Sequence, residues 1–322
     1  MKKKGLTIFD AGIAFLLAFV LSQLTGGFGV SIIKSIMSAC GKTDAKIDAF
    51  FDTASGYLVQ ALCMNIAFVL VFVWYIRRVN KTEVLAKPDS NTWKYAAICV
   101  VIGVATMFLL SGSLNYFQLL VDKLGFESPS VGFELNSLSS YLISLVALAV
   151  VPAICEEMLF RGVLVNALKH KGKVFAVVIS SIMFSIFHFS PSQLIYPICF
   201  GLILAIVYLR TNNILFPMLL HFINNALSLS IQYFSSGSSG EFVHSISTLI
   251  FALITLAGWI VIMVYMFKEF NHHNKKTTDN QNLSAPPQST TTNTQTSATT
   301  KFDNYVLYGS IALMICLYII LI

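Results

Sequence analysis

The chain has 322 residues, 56% of them hydrophobic and only 11% charged, and 21 Lys and Arg against 15 Asp and Glu give a formal net charge of +6. Soluble domains carry about 25% charged residues, so the composition excludes an ordinary soluble enzyme. Nothing in the scattered basic residues points to nucleic acid; the expected partner is a lipid bilayer, in which Lys and Arg report orientation.

Uncharged runs long enough to span a membrane recur along the chain. Lys2–Lys4 precede the run "GLTIFDAGIAFLLAFVLSQLTGG", which lacks a small-x-small cleavage site and reads as an uncleaved first span. Asp10, near those lysines, reads as an interfacial carboxylate. Further spans are expected near 55–76, 95–119, 138–168, 174–190, 194–209, 213–234, 245–267 and 303–322, with the first at 8–25. The fifth and sixth are short, and fit partial or tilted helices buried among the others. With the N-terminus in the cytoplasm, the inside segments hold sixteen Lys and Arg, while the outside ones hold Lys34, Lys42, Lys46 and Lys123. Arg161 alone stays in the membrane. That asymmetry predicts an integral, multi-pass protein of nine spans with a cytoplasmic N-terminus.

The expected architecture is an all-α polytopic membrane helical bundle of about eight to nine transmembrane helices. Residues 1–137 form the N-terminal spans, 138–234 the core and 235–270 an additional span. Residues 271–302 are polar and low in complexity, and predict a disordered linker; 303–322 predict a C-terminal anchor helix. The six cysteines (Cys40, Cys63, Cys99, Cys155, Cys199, Cys316) show no metal-ligand spacing and read as small core residues. Nothing specifies an oligomeric state.

The segment Val151–Leu164, "VPAICEEMLFRGVL", carries Glu156, Glu157 and Arg161 into an apolar span. A charge at the bilayer centre costs about 2.5–3.5 kcal/mol on insertion scales, so these three require partners, water or a ligand. Glu157 and Arg161 are four apart and share a helical face, where they can pair. Glu156 faces about 100° away, with no local cation. Two other spans carry histidines: "FSIFH" sets Phe184 and His188 four apart, and "HFINN" does the same for His221 and Asn225. Counted from Lys169, Lys173 and Arg210, Glu156, His188 and His221 lie roughly 20, 22 and 16 Å from the cytoplasmic edge. If the fourth helix continues through Arg161, the three can converge; at about 46 Å it must then tilt, kink near Pro152 or begin outside the hydrocarbon.

A carboxylate and two imidazoles around a water can hydrolyse a peptide bond in two ways. They can hold a divalent metal such as zinc that activates the water, or the carboxylate can act as general base while the imidazoles orient water and stabilise the oxyanion. No HExxH pair is present, which excludes a zincin helix.

"EEMLFR", "FSIFH" and "HFINN", in that order on successive polar-bearing spans, resemble the motifs EExxxR, FxxxH and HxxxN of the CAAX prenyl protease/bacteriocin-processing (CPBP, or Abi) family of intramembrane proteases. The resemblance covers about residues 138–234. It implies a hydrolase, an intramembrane endopeptidase and metalloprotease candidate acting on a membrane-associated peptide or protein, in CAAX-type processing or in bacteriocin maturation and self-immunity. By the same resemblance, Glu156 is the catalytic carboxylate and Glu157 pairs with Arg161. His188 and His221 hold the water or metal, Asn225 polarises the scissile carbonyl, and Phe184 walls the pocket. Glu156, His188 and His221 would be the zinc ligands if a metal is used; a glutamate-dependent reaction needs none. Two other readings use the same residues: a non-catalytic immunity or scaffold protein that keeps them as polar glue, and a proton-coupled transporter.

Overall fold

The computed structural model describes residues 6–78, 84–88, 90–126, 133, 135–235, 246–283 and 304–315. Lys2–Lys4, linker residues 284–302 and residues 316–322 of the last expected span, with Cys316, lie outside the described residues.

The chain folds as helices throughout, because a backbone in lipid must satisfy its hydrogen bonds within each segment. In order these are α1 (Ile8–Ala39), α2 (Asp44–Phe51), α3 (Ala54–Ile76), α4 (Ser90–Lys123), α5 (Leu138–Lys171), α6 (Lys173–Ile186), α7 (Ile195–Thr211), α8 (Leu215–Ser235), α9 (Ile246–Leu283) and α10 (Asn304–Ile315). Among the described residues there is no strand, only an isolated bridge between Leu85 and Asn213. Helices occupy the positions of all nine expected spans, and six are both long and apolar enough to cross a bilayer: α1, α3, α4, α5, the α7 segment and α9. The fold is an all-α polytopic membrane bundle. Val101, Phe28, Leu253 and Val261 are exposed on its outside, as lipid-facing side chains should be.

Several boundaries differ from expectation. α1 runs fourteen residues past the expected end at 25. The glycines near 26–29 do not stop it, because the apolar series Leu24, Phe28, Ile32, Ile36 continues at helical spacing. It ends where Gly41 takes φ 79°, with Lys42 N donating to the Met37 carbonyl at 3.1 Å. α9 continues to Leu283, into the stretch expected as linker from 271 onward. A nucleated helix adds residues cheaply, so polar sequence can extend it without a core of its own.

α6 has 14 residues, about 21 Å, too short for a ~30 Å hydrocarbon core. It is one limb of a hairpin: the chain turns through Phe189 (φ 46°) and a 3-10 turn at Pro191–Gln193, then returns as α7. Both limbs are largely buried. The hairpin thus brings Lys173 and Arg210 to one face while carrying His188 to its apex. Other contacts join helix ends on a common face. Asp10, buried near the start of α1 and capped with Thr7, meets Arg78 after α3 at 2.5 Å. The Leu85–Asn213 bridge ties the segment after α3 to the α7–α8 turn.

α5 positions the site. It is one continuous helix whose hydrogen-bond register widens to π at Leu145–Val150 and again at Met158–Val165, with an α segment, Val151–Glu157, between them. Pro152 explains the first irregularity, since it has no N–H to offer the carbonyl four residues earlier, that of Leu148. The expected kink near Pro152 is therefore realised as a register change, a form common at functional sites.

Candidate active site

Glu156 and Glu157 sit on the α segment between the two π stretches. Being adjacent, they point different ways. Glu157 is fully buried and so is Arg161. Arg161 Nη1 donates to Glu157 Oε1 at 2.8 Å, and Nη2 donates to the Gly201 carbonyl at 3.1 Å. Gly201 eases this: a Cβ there would lie 3.1 Å from the Ser181 Cβ, a tight contact that the glycine avoids where α7 runs close to α6. The guanidinium also lies 4.9 Å from the Phe184 ring centroid, a cation–π contact.

His221, on α8, completes this interior cluster. Its Nδ1 is 2.9 Å from Glu157 Oε1, and its Nε2 is 4.0 Å from Glu156 Oε2. An ionised carboxylate only accepts, so Nδ1 carries a hydrogen, and Nε2 is the nitrogen that faces Glu156. Phe184 and Phe200 set their edges against the imidazole, with centroids 5.8 and 6.1 Å away.

Glu156 is different. Its Oε2 is buried and has no hydrogen-bond partner. The side chain borders a cavity of about 550 Å³ between α1, α3, α5 and the turn after α6, and His188 borders the same cavity. His188 lies just past the end of α6, where its Nδ1 donates to the Phe184 carbonyl at 2.8 Å. The expected relation of Phe184 to His188 survives as this bond and as a ring contact at 5.0 Å. Phe15, Phe68 and Phe160 pack edge-on around Phe187 beside the cavity.

Two expected positions change. Phe184 does not line the cavity; it is 2% exposed and stands behind it, touching Arg161, His188, His221 and Phe160. Asn225 does not line it either. Its Nδ2 donates to the Leu148 carbonyl at 3.0 Å, the group that Pro152 leaves without its usual donor. Asn225 Oδ1 accepts from Asn224, which in turn accepts a short hydrogen bond from Tyr196.

Both histidines use Nδ1–H on a neighbouring acceptor and leave Nε2 available, as metal-ligating histidines often do. Among the described residues, however, no group of three or more His, Cys, Asp or Glu is arranged to hold a metal ion. In this arrangement Glu156, His188 and His221 do not fit zinc, and no step below runs through a metal. Sequence reasoning missed Gly201, Phe160 and Phe200, whose parts rest on contacts between helices. It also missed the amides Gln23, Gln60 and Asn65, which line the cavity opposite the motif. Their signal was present: a carboxamide inside a span is a weaker form of the anomaly that singled out Glu156.

Residues 138–227 match the family described as type II CAAX prenyl endopeptidase Rce1-like. The chain is 26% identical over 176 residues to the Bacillus subtilis (strain 168) protein named "Putative membrane peptidase YdiL", covering 54% of this chain and 72% of that one. No solved structure matches the chain. Residues 138–227, which carry the three ordered motifs, are similar to this family, and the two comparisons together support a membrane protease of the CAAX prenyl protease/bacteriocin-processing family.

Proposed function

We propose that the chain is an intramembrane endopeptidase in which Glu156 is the general base, acting on a membrane-associated peptide or protein with the N-terminus of the enzyme in the cytoplasm. One observation carries the reading: an unpartnered, buried Glu156 Oε2 stands 4.0 Å from His221 Nε2, on the wall of a cavity shared with His188. A single water about 2.8 Å from each atom would bridge that separation at an angle near 90°.

The roles follow from the hydrogen-bond logic. Glu157, held by Arg161, keeps His221 in the Nδ1–H tautomer, so that Nε2 accepts one hydrogen of the water. Glu156 takes its other proton as the oxygen attacks the scissile carbonyl. The tetrahedral intermediate then collapses, and Glu156 returns the proton to the departing amine. His188, across the cavity, donates from Nε2 to the oxyanion when its ring is protonated. Asn225 acts at one remove: it holds the Leu148 carbonyl, and through it the helix that presents Glu156. Phe184 buttresses both imidazoles. The reaction is glutamate-dependent, and its substrates are CAAX-type or bacteriocin-related peptides, the classes that the resemblance implies.

The test is cleavage of a membrane-tethered peptide library by purified protein. Wild type should cleave, Glu156→Gln should not, and a chelator should leave the wild-type rate unchanged with no stoichiometric metal in the preparation. Equal cleavage by wild type and Glu156→Gln removes Glu156 from the reaction. Inhibition by chelator, reversed by zinc, replaces the glutamate-only route with a metal-dependent one.

A further inference from the structure

The wall facing Glu156 is not family motif but part of α1 and α3, and it is polar for its depth. Asn65 lies about as many residues before Arg78 as Glu156 lies before Lys169, and Gln23 a similar number after Asp10. At about 1.5 Å per residue these three share one layer of the membrane, roughly 20 Å from the basic face, with Gln60 one turn or so beyond. Asn65 Nδ2 donates to the Ala61 carbonyl at 2.8 Å, while its buried Oδ1 has no partner. Among the described residues no hydrogen bond engages the side chain of Gln23 or Gln60. Uncommitted carboxamides at this depth need a ligand with matching donors and acceptors.

The cavity restricts what that ligand is. Glu156 is its one charged lining residue; no Lys or Arg borders it. A free carboxylate would find no fixed cation there, only the His188 ring that the proposed reaction uses, and would lie beside Glu156. Aromatic and apolar groups, among them Phe19, Phe68, Met64 and Pro152, cover much of the remaining wall. Gln60 and Asn65 are five residues apart on α3, about 7.5 Å along its axis. Same-facing amides of an extended peptide recur every two residues, about 6.6–6.8 Å.

We propose that Gln60 and Asn65, with Gln23 opposite, bind the main chain of an extended, uncharged apolar peptide segment and so lay an internal peptide bond against Glu156. This rests on the proposed peptidase reaction for its purpose but not for its binding. Recognition is by backbone amides, with the apolar walls taking the side chains, and the cut falls within the segment, which favours the bacteriocin-related class over a CAAX-type end with its free carboxyl group. These residues position the substrate and take no part in bond breaking.

The test uses the full-length Glu156→Gln protein in phosphatidylcholine nanodiscs, so that binding is read without turnover. The probe is a short fluorescent peptide of Ala, Val and Leu with acetylated and amidated ends, scanned by single N-methylations and followed by anisotropy. Two positions, two residues apart, should each lose about tenfold in affinity on methylation, the loss of one main-chain hydrogen bond. In Asn65→Leu one of those positions should become insensitive, and in Gln60→Leu the other. Gln23→Leu, at an exposed position of α1, supplies the same coupling readout without disturbing packed helices. A flat methylation scan, or a scan unchanged in all three variants, overturns the proposal. Tighter binding of the same peptide with a free carboxyl end overturns the internal-segment assignment. If wild type cleaves nothing yet the methylation pattern persists, the binding site stands and the peptidase reading alone falls.

Discussion

Replacing Arg161 with methionine should be among the most damaging single changes in the core. Both Arg161 and Glu157 are 0% exposed, and the pair is joined at 2.8 Å. The variant leaves a buried carboxylate with His221 as its remaining donor and strands the Gly201 carbonyl. Breaking a buried pair in this way costs about 3–5 kcal/mol, and the lost carbonyl bond about 1 kcal/mol, not fully additively. For a chain of this size that corresponds to a fall in Tm on the order of 10 °C. Thermal unfolding of detergent-purified protein, followed by tryptophan fluorescence, measures it. The double variant Glu157→Leu/Arg161→Met should recover most of the stability, because an apolar pair of similar volume replaces the ions. It should not recover cleavage, because His221 loses the carboxylate that fixes its tautomer. A loss below about 1 kcal/mol in the single variant, or strict additivity in the cycle, would refute the view that this pair is desolvated and coupled.

Three further outcomes follow from the geometry. Glu156→Gln should lower cleavage by about 100-fold or more, as for a lost general base, while leaving Tm unchanged or raised, since an unpartnered buried charge is removed; a lowered Tm would mark Glu156 as structural. Asn225→Ala should cost about 1–2 kcal/mol by orphaning the Leu148 carbonyl, and much less in a Pro152→Ala background, where a main-chain N–H at position 152 can serve that carbonyl; equal losses in both backgrounds would break the link between the two residues. Arg78→Leu should destabilise by about 1–3 kcal/mol, because Asp10 is 5% exposed and loses its cation; no change in Tm would show that the capping contacts from Thr7 suffice for it.

Much of this site was legible before any coordinates. The four-residue spacing of Glu157 and Arg161 gave their pairing, and the same rule turned Glu156 away from them. Residue counts from basic anchors brought Glu156 and His221 to a common depth, and these two do approach. What could not be read was how His221 is held: its bond to Glu157 joins α8 to α5, and no local spacing encodes it. The hairpin of α6 and α7 was visible only as two short apolar runs, because the break at Phe189 depends on a positive φ that sequence does not announce. Asn225 was given a part in the reaction on motif alone. Its commitment to Leu148 follows from the missing N–H of Pro152, legible in principle but only once α8 is known to lie alongside. The overrun of α1 past the expected end at 25 follows from apolar periodicity that continues through Ile36.

The adjacency of Glu156 and Glu157 on one helical turn has a mechanical consequence. The interior carboxylate grips the imidazole, and the neighbouring one meets the far side of the same ring. Acid and imidazole are thereby referenced to a single stretch of backbone, like two jaws cut from one casting. When a thinner or thicker bilayer tilts the surrounding helices, the spacing between these groups has no reason to change. The proposed peptidase activity should therefore stay nearly constant across acyl-chain lengths that alter the overall tilt of the protein.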